Sequence, residues 1–80
     1  MKIYPNPAKD HLSVDFGDYA KMQGYMLMIR DQSGKLVNIT TIQQKISNLD
    51  ITKWSGKGIY LIQILDSQSK LIDTRKLILE

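Results

Sequence analysis

Cysteine is absent from this 80-residue sequence, which excludes a disulfide framework, a thiolate zinc site and a cysteine nucleophile. With five glycines and two prolines, the chain has too little of either residue for a collagen-like repeat. No stretch comes near the roughly 18 consecutive apolar residues of a transmembrane helix, so we expect no direct insertion into a membrane. The opening residues, MKIYPNP, place two prolines where a signal peptide would have its apolar core, so we expect no export signal there.

What the sequence does contain is the balance of a small globular protein. Hydrophobic residues make up 42% of the chain and charged residues 24%, which is richer in apolar side chains than a disordered tail. A chain of this length has room for one core only. We therefore predict a single domain over residues 1–80, in which residues 1–8 are an entry linker or edge segment.

The net charge of +3 arises from 11 basic and 8 acidic side chains and raises the question of a nucleic-acid partner. Nucleic-acid binders usually cluster their basic residues and add aromatic side chains for stacking. Here the basic residues are spread along the chain, and only Arg75 and Lys76 are adjacent. This distribution indicates ordinary solvated surface, and we expect no nucleic-acid partner.

Apolar and polar residues alternate with a period of two, which predicts β-strands. Short length and β-branched residues favour strands over helices in six segments, namely 11–16, 25–30, 36–42, 46–51, 59–65 and 71–79. Met26, Met28 and Arg30 share one face of their strand, and we expect that face to be only partly covered. Short strands with frequent turn residues between them indicate a small antiparallel sandwich.

Two turns lie between pairs of predicted strands at equivalent places. Residues 31–34 predict a tight hairpin turn in which Gly34 adopts the positive φ that such a turn needs. Residues 66–69 occupy the corresponding place, but Ser69 replaces the glycine. We therefore expect a longer loop at the second turn.

Trp54 is the single tryptophan and lies in residues 52–55, which predict one helical turn. Two interpretations are open. The indole could be exposed and stack on a ligand, as in carbohydrate-binding modules, or it could be a plug that closes one end of the sandwich. We favour the plug, because a buried indole contributes heavily to a small core.

No group of residues predicts catalysis. His11 is the only histidine, and in an extended strand its neighbour Asp10 would point to the opposite face and could not orient the ring. The acidic residues lie mostly at turns and strand ends, where aspartate bonds its own backbone. No metal-ligand, nucleotide-binding or hydrolase motif is present. We therefore predict no enzyme activity, no cofactor and no metal site.

Four short motifs follow one another along the chain: Tyr4-Pro5-Asn6-Pro7, then Asp31 with Gly34 and Lys35, then Gly58-Ile59-Tyr60, and finally Arg75-Lys76-Leu77. In this order and spacing they resemble the type A C-terminal sorting domain of the type IX (Por) secretion system, over essentially the whole chain. The resemblance implies an all-β fold, a small antiparallel Ig-like β-sandwich of about seven strands.

The resemblance also implies a function. Such a domain is the C-terminal secretion signal of a larger parent, whose passenger domain lies upstream. It directs the parent from the periplasm through the type IX outer-membrane translocon, with shuttle proteins, to the cell surface or medium. A gingipain-like sortase then removes the domain, here upstream of Ile3, and the parent is attached to the surface. The alternative, on fold alone, is an accessory adhesion or carbohydrate-binding sandwich of a secreted protein.

The motif residues are our candidates for recognition, and turn or core roles are the competing explanation for each of them. Pro5 and Pro7 predict a stiff, extended entry at an edge, open to a protease. Gly58 permits a close backbone approach before Tyr60 enters the core. The last strand, residues 71–80, is the best candidate for contact with the secretion machinery, because a terminal edge strand offers unpaired backbone groups.

Overall fold

The computed structural model describes residues 1–54 and 56–80 and shows a β-sandwich. The described strands are β1 (Lys2–Tyr4), β2 (His11–Asp15), β3 (Met26–Arg30), β4 (Leu36–Thr41), β5 (Ile46–Asp50), β6 (Gly58–Leu65) and β7 (Leu71–Leu79). A three-residue 3-10 turn at Tyr19–Lys21 follows β2. Within these ranges, no helix is long and apolar enough to span a membrane. The predicted all-β fold of about seven strands is confirmed.

The strands form two antiparallel sheets. Sheet A has the order β1-β2-β5, and sheet B has the order β4-β3-β6-β7. All six predicted strands are present, and each bound agrees with the prediction to within one residue. The additional strand is β1, in which Ile3 lies opposite Val14 of β2. Part of the entry segment is therefore an edge strand of sheet A.

The core lies between the inward faces of the two sheets. Thirteen apolar side chains are buried there: Ala8, Leu12, Val14, Phe16, Leu27, Ile29, Ile42, Ile51, Tyr60, Ile62, Ile64, Leu77 and Leu79. Burial of a large apolar side chain contributes roughly 1.5–3 kcal/mol. Every second residue of β6 points inward, as the period of two requires. Among the described residues, no polar or charged side chain is buried in the interior, so apolar packing holds most of this core.

The turn between β3 and β4 is built around the carboxylate of Asp31. The N–H groups of Ser33 and Lys35 donate to Asp31 Oδ1 at 2.9 and 3.0 Å. The Asp31 N–H in turn donates to the Lys35 carbonyl at 2.9 Å. Gly34 has a φ of +90°, as predicted. Aspartate is favoured in turns because its short side chain can accept such bonds from its own backbone.

The turn between β6 and β7 repeats this arrangement with serine in place of glycine. Gln68 and Lys70 donate their N–H groups to Asp66 Oδ1 at 2.9 and 3.0 Å, and Ser69 has a φ of +63°. The longer loop predicted for residues 66–69 is therefore wrong. The same set of bonds fixes this turn, so a residue with a side chain is held in the left-handed region, at a cost of about 1–2 kcal/mol.

Hydrogen bonds also lower the pKa of two carboxyl groups. The N–H groups of Lys70 and Gln68 hold the pKa of Asp66 below its ordinary value of 3.8, because they favour the charged form. The pKa of Asp50 is lowered first by the Thr52 hydroxyl and then by the Thr52 N–H. These two groups donate to the Asp50 carboxylate at 2.7 and 3.0 Å.

Two predictions concern the segment before Tyr60. Gly58 has a φ of +133°, and a Cβ there would lie 3.3 Å from Oε1 of Gln32, so a side chain and not the predicted backbone segment approaches this glycine. The helical turn predicted for 52–55 includes residue 55, which lies outside the described residues. The described part is a turn in which the Trp54 N–H donates to the Ile51 carbonyl at 3.2 Å.

Gly34→Val is expected to lower the free energy of unfolding by about 1–2 kcal/mol, because a β-branched residue is strained at positive φ. A Cβ at this position meets no atom within 4 Å, so the loss would come from the backbone and not from a clash. Gly34→Ser is the matched control and should lose less, because Ser69 already occupies the equivalent position. Urea unfolding measures the free energy of unfolding of the wild type and of both variants. A valine variant as stable as the wild type would contradict the turn geometry.

The free energy of unfolding should fall as the pH is lowered through the folded-state pKa values of Asp50 and Asp66. Both pKa values lie below 3.8 in the folded state. The stabilisation is therefore complete above the unfolded-state pKa and is lost as the folded carboxylates bind protons. Asp66→Asn keeps a side-chain oxygen for the turn but removes the titrating group. In urea unfolding at several acidic pH values, the free energy of unfolding of this variant should decline less steeply than that of the wild type. An equal decline would refute the contribution of Asp66 to the pH dependence.

Candidate functional site

The four sequence motifs meet at one end of sheet B. The turn at residues 31–35 contacts the start of β6, where the Ile59 N–H donates to Oε1 of Gln32 at 3.5 Å. The start of β6 pairs with the end of β7, so that Tyr60 lies opposite Leu77. The entry segment then lies along the outer edge of β7. Residues that are far apart in the sequence therefore border one continuous part of the surface.

Asn6 joins the entry segment to β7 through both ends of its side-chain amide. Its Nδ2 donates to the Lys76 carbonyl at 3.3 Å, and its Oδ1 accepts from the Ile78 N–H at 3.1 Å. An amide side chain carries the same donor and acceptor as a peptide group. Asn6 thus supplies the bonds that a neighbouring strand would otherwise make to β7.

Ala8 continues this pairing with its backbone. Its N–H donates to the Ile78 carbonyl at 2.9 Å, and its carbonyl accepts from the Glu80 N–H at 2.8 Å. Ala8 forms a parallel bridge with Leu79 and is fully buried. This residue is not among those predicted from the sequence, where its one signal is that a small apolar side chain follows the second proline. We call the contacts of Asn6 and Ala8 with the end of β7 the edge closure.

The edge closure limits what β7 offers to a partner. Outward-pointing backbone groups belong to alternate residues of an edge strand. The entry segment engages the Lys76 carbonyl, both groups of Ile78 and the Glu80 N–H. The same alternation places the N–H and carbonyl of Thr74 on this edge, where no residue of the described ranges bonds to them. The expectation of unpaired groups therefore holds for the middle of β7 and is wrong for its last residues, which the entry segment covers.

The entry segment is not the stiff, extended arm that its prolines predict. Residues 2–4 pair with β2, the chain bends through residues 5–7, and Ala8 then lies against the edge of sheet B. Hydrogen bonds fix the chain on both sides of the bend. The side chains of the Tyr4-Pro5-Asn6-Pro7 motif are nevertheless exposed.

Two of the motif residues belong to the core. Leu77 is fully buried and Tyr60 nearly so. The Tyr60 hydroxyl donates to the Gly56 carbonyl at 2.6 Å, and its ring centroid lies 5.3 Å from that of Trp54. Trp54 is half-buried and packs against the core, as the plug interpretation predicts. In contrast, Ile59, Arg75 and Lys76 are exposed.

His11 and Asp10 correct one step of the sequence analysis. We expected Asp10 to point away from the imidazole, but His11 Nδ1 lies 2.8 Å from Asp10 Oδ1. The expectation assumed an extended strand through both residues, whereas β2 begins at His11 and Asp10 lies in a bend. Both side chains are 72% exposed. The pair lies at the start of β2, in sheet A.

Comparison with known proteins gives one match. The model of the family described as the secretion system C-terminal sorting domain matches residues 2–80. No curated protein and no solved structure matches the chain. The matched range begins before the Tyr4-Pro5-Asn6-Pro7 motif and includes the whole of β7, so it contains both partners of the edge closure.

Asn6→Ala is expected to lower the free energy of unfolding by about 1–2 kcal/mol, because two hydrogen bonds of about 0.5–1.5 kcal/mol each are lost. Amide hydrogen exchange at Ile78 should also become faster. Gln43→Ala is the matched control and should change neither quantity, since Gln43 is an exposed amide side chain that follows β4, at the opposite edge of sheet B from β7. Unchanged exchange at Ile78 in Asn6→Ala would show that the side-chain amide does not cover this edge.

Proposed function

We propose, from the premise that this chain belongs to the secretion system C-terminal sorting domain family, that it directs a parent protein through the type IX outer-membrane translocon to the cell surface or medium. The family is one of C-terminal sorting signals, and the resemblance that the sequence motifs predict is confirmed by the match. The match over residues 2–80 is the single observation that carries the proposal.

The fold fits a signal that is read as a folded surface. The motif residues are brought together only in the folded chain, since Asn6 and Ile78 are bonded across a separation of 72 residues. An unfolded chain would present the four motifs separately. The proposed partners, the translocon and its shuttle proteins, would then contact the end of sheet B where the motifs meet.

Within that surface, we assign strand recognition to the open part of the β7 edge. Edge strands bind extended segments through their free backbone groups. The free groups of β7 are centred on Thr74, and a partner that paired further along the strand would have to displace Asn6 and Ala8. Recognition would therefore begin at Thr74.

Removal by a gingipain-like sortase would take place before β1. Proteases need an accessible, extended substrate, whereas residues 2–4 are paired with β2. Met1 and Ile3 are partly buried against the core. Cleavage upstream of Ile3 would thus release the parent without opening the sandwich.

A secretion assay tests the proposal. A fluorescent reporter carries an inner-membrane signal peptide and residues 1–80 at its C-terminus, in a bacterium with a type IX system. The fusion should reach the surface or medium. A fusion that is folded yet remains in the periplasm would contradict the sorting function.

Removal of the whole of β7 would be a poor control, because Leu77 and Leu79 belong to the core. Thr74→Pro is sharper: proline lacks the outward N–H and is tolerated at an edge. Thr41→Pro is its match on the opposite edge of sheet B, where the Ile42 N–H points to β3 and alternation turns Thr41 outward. Thr74→Pro should abolish secretion, and Thr41→Pro should not. Normal secretion of a stable Thr74→Pro fusion would refute recognition at this edge.

A further inference from the structure

The outer face of sheet B is apolar where an antiparallel sandwich usually has polar residues. Its exposed members include Ile39, Ile59, Leu61 and Ile78, with exposed fractions of 48%, 39%, 37% and 46%. Met26, Met28 and Leu65 lie on the same face and are half-buried. The partly covered face predicted for β3 is therefore confirmed, and it extends over all four strands.

The strand register makes this face continuous. On one side Met28 lies opposite Ile39 of β4, and on the other side Ile59 of β6 lies opposite Ile78 of β7. Leu61 is near the centre, on β6. An exposed apolar patch that crosses a whole sheet is characteristic of an interaction surface.

The charges on this face have one sign. Leu61 lies between Arg30 of β3 and Lys76 of β7 in a single cross-strand row. Arg30 is held over the face by Nε, which donates to Gln63 Oε1 at 3.3 Å, and by Nη1, which donates to the Gly34 carbonyl at 3.2 Å. No carboxylate of the described residues forms an ion pair with either cation.

The acidic residues of sheet B are directed elsewhere. Asp31 and Asp66 accept hydrogen bonds inside their turns. Asp73 lies on the same side of β7 as Leu77 and pairs with Arg75 at 3.2 Å. Two copies of the chain packed face to face would therefore oppose cations with cations, which disfavours a homodimer through this face.

We propose that the outer face of sheet B, centred on Leu61 between Arg30 and Lys76, docks a component of the secretion machinery whose contact surface is apolar and carries carboxylates. The apolar residues supply the buried area, and the two unpaired cations select an acidic partner. This inference rests on the proposed function. The docking face is separate from the β7 edge, because Thr74→Pro removes an edge donor and leaves this row of side chains in place.

The test combines charge reversal with site-specific photocrosslinking in the reporter fusion. Lys76→Glu reverses a cation whose side chain is exposed, and Arg30→Glu with Lys76→Glu reverses both. Lys9→Glu with Lys45→Glu is the matched control, since these lysines precede strands of sheet A and give the same change in net charge. Thermal unfolding of each fusion checks the fold. Benzoylphenylalanine replaces Leu61 on the face, or Ser13 on sheet A as the control position.

We expect benzoylphenylalanine in place of Leu61 to form an adduct whose partner peptide contains apolar residues beside Asp or Glu. Benzoylphenylalanine in place of Ser13 should form no such adduct. Lys76→Glu should reduce the adduct and secretion by roughly tenfold, the effect of about 1.4 kcal/mol on an equilibrium. The double variant should reduce both further, while the Lys9 and Lys45 control matches the wild type. If Arg30→Glu lowers the stability of the double variant, the docking inference is judged from the adduct and secretion of the single Lys76→Glu variant.

Three results would overturn the inference. One is an adduct and secretion that charge reversal leaves unchanged in a stable fusion. Another is a Leu61 adduct between two copies of the fusion, which would make this face a homodimer contact. The third is flotation of the purified fusion with phosphatidylglycerol vesicles that is lost in Lys76→Glu, without a protein adduct, which would make the occupant a lipid surface.

Failure of the proposed function gives a different result. The unmodified fusion would then stay in the periplasm, whatever the charge on the face. The Leu61 adduct formed there would still decide the docking inference: an adduct with an acidic partner that charge reversal removes supports it, and no adduct refutes it.

Discussion

Hydrogen bonding between the entry segment and the end of β7 is the constraint on which the sandwich depends. The strands of sheet A and sheet B do not pair with each other, and through most of the described chain only side-chain packing holds the sheets together. At the edge closure, the segment that has just left β1 of sheet A bonds to β7 of sheet B. Ala8 and Leu79 are buried at this seam. The first and last parts of the chain thus close the same side of the core.

The elements that sequence reasoning predicted are those with a local signature. Alternation over five to nine residues identified six strands, and the aspartate and glycine at residues 31–34 identified a tight turn. At Ser69 the rule that positive φ needs glycine failed, because the Asp66 carboxylate fixes the second turn independently of the residue at that position. The position of Asp10 was misjudged because the residue before the predicted strand was treated as extended, whereas it lies in a bend.

The candidate site was less predictable, for a physical reason. The motif residues could be named from the sequence, but Asn6 and Ile78 meet across 72 positions, and no periodicity reports such a contact. Ala8 was missed altogether, since its burial depends on β7 lying alongside it. Sequence patterns show which face of a strand is apolar, whereas the covering of an edge depends on which distant segment reaches it.

The alternation of β7 explains how one strand can serve both folding and the recognition that we propose. Leu77 and Leu79 point into the core, while Lys76 and Ile78 point to the outer face. The backbone N–H and carbonyl groups of alternate residues point to the outer edge of β7. The entry segment forms hydrogen bonds with those nearest the end of the strand. The Arg75-Lys76-Leu77 motif therefore has its members on different surfaces. Adjacent residues of β7 therefore meet different requirements. Leu77 and Leu79 must be apolar to fill the core, whereas core packing does not determine which residues occupy the outward positions of Lys76 and Ile78.

The edge closure also has a consequence for the timing of synthesis. Residues 6–8 are made before their partners at residues 76–80, which are among the last of this sequence to emerge from the ribosome. Contacts between such distant residues form late, because the intervening chain must first be brought together. The sandwich can close only after residues 76–80 have been made. A closed edge therefore forms only on a chain whose translation has reached the end of β7.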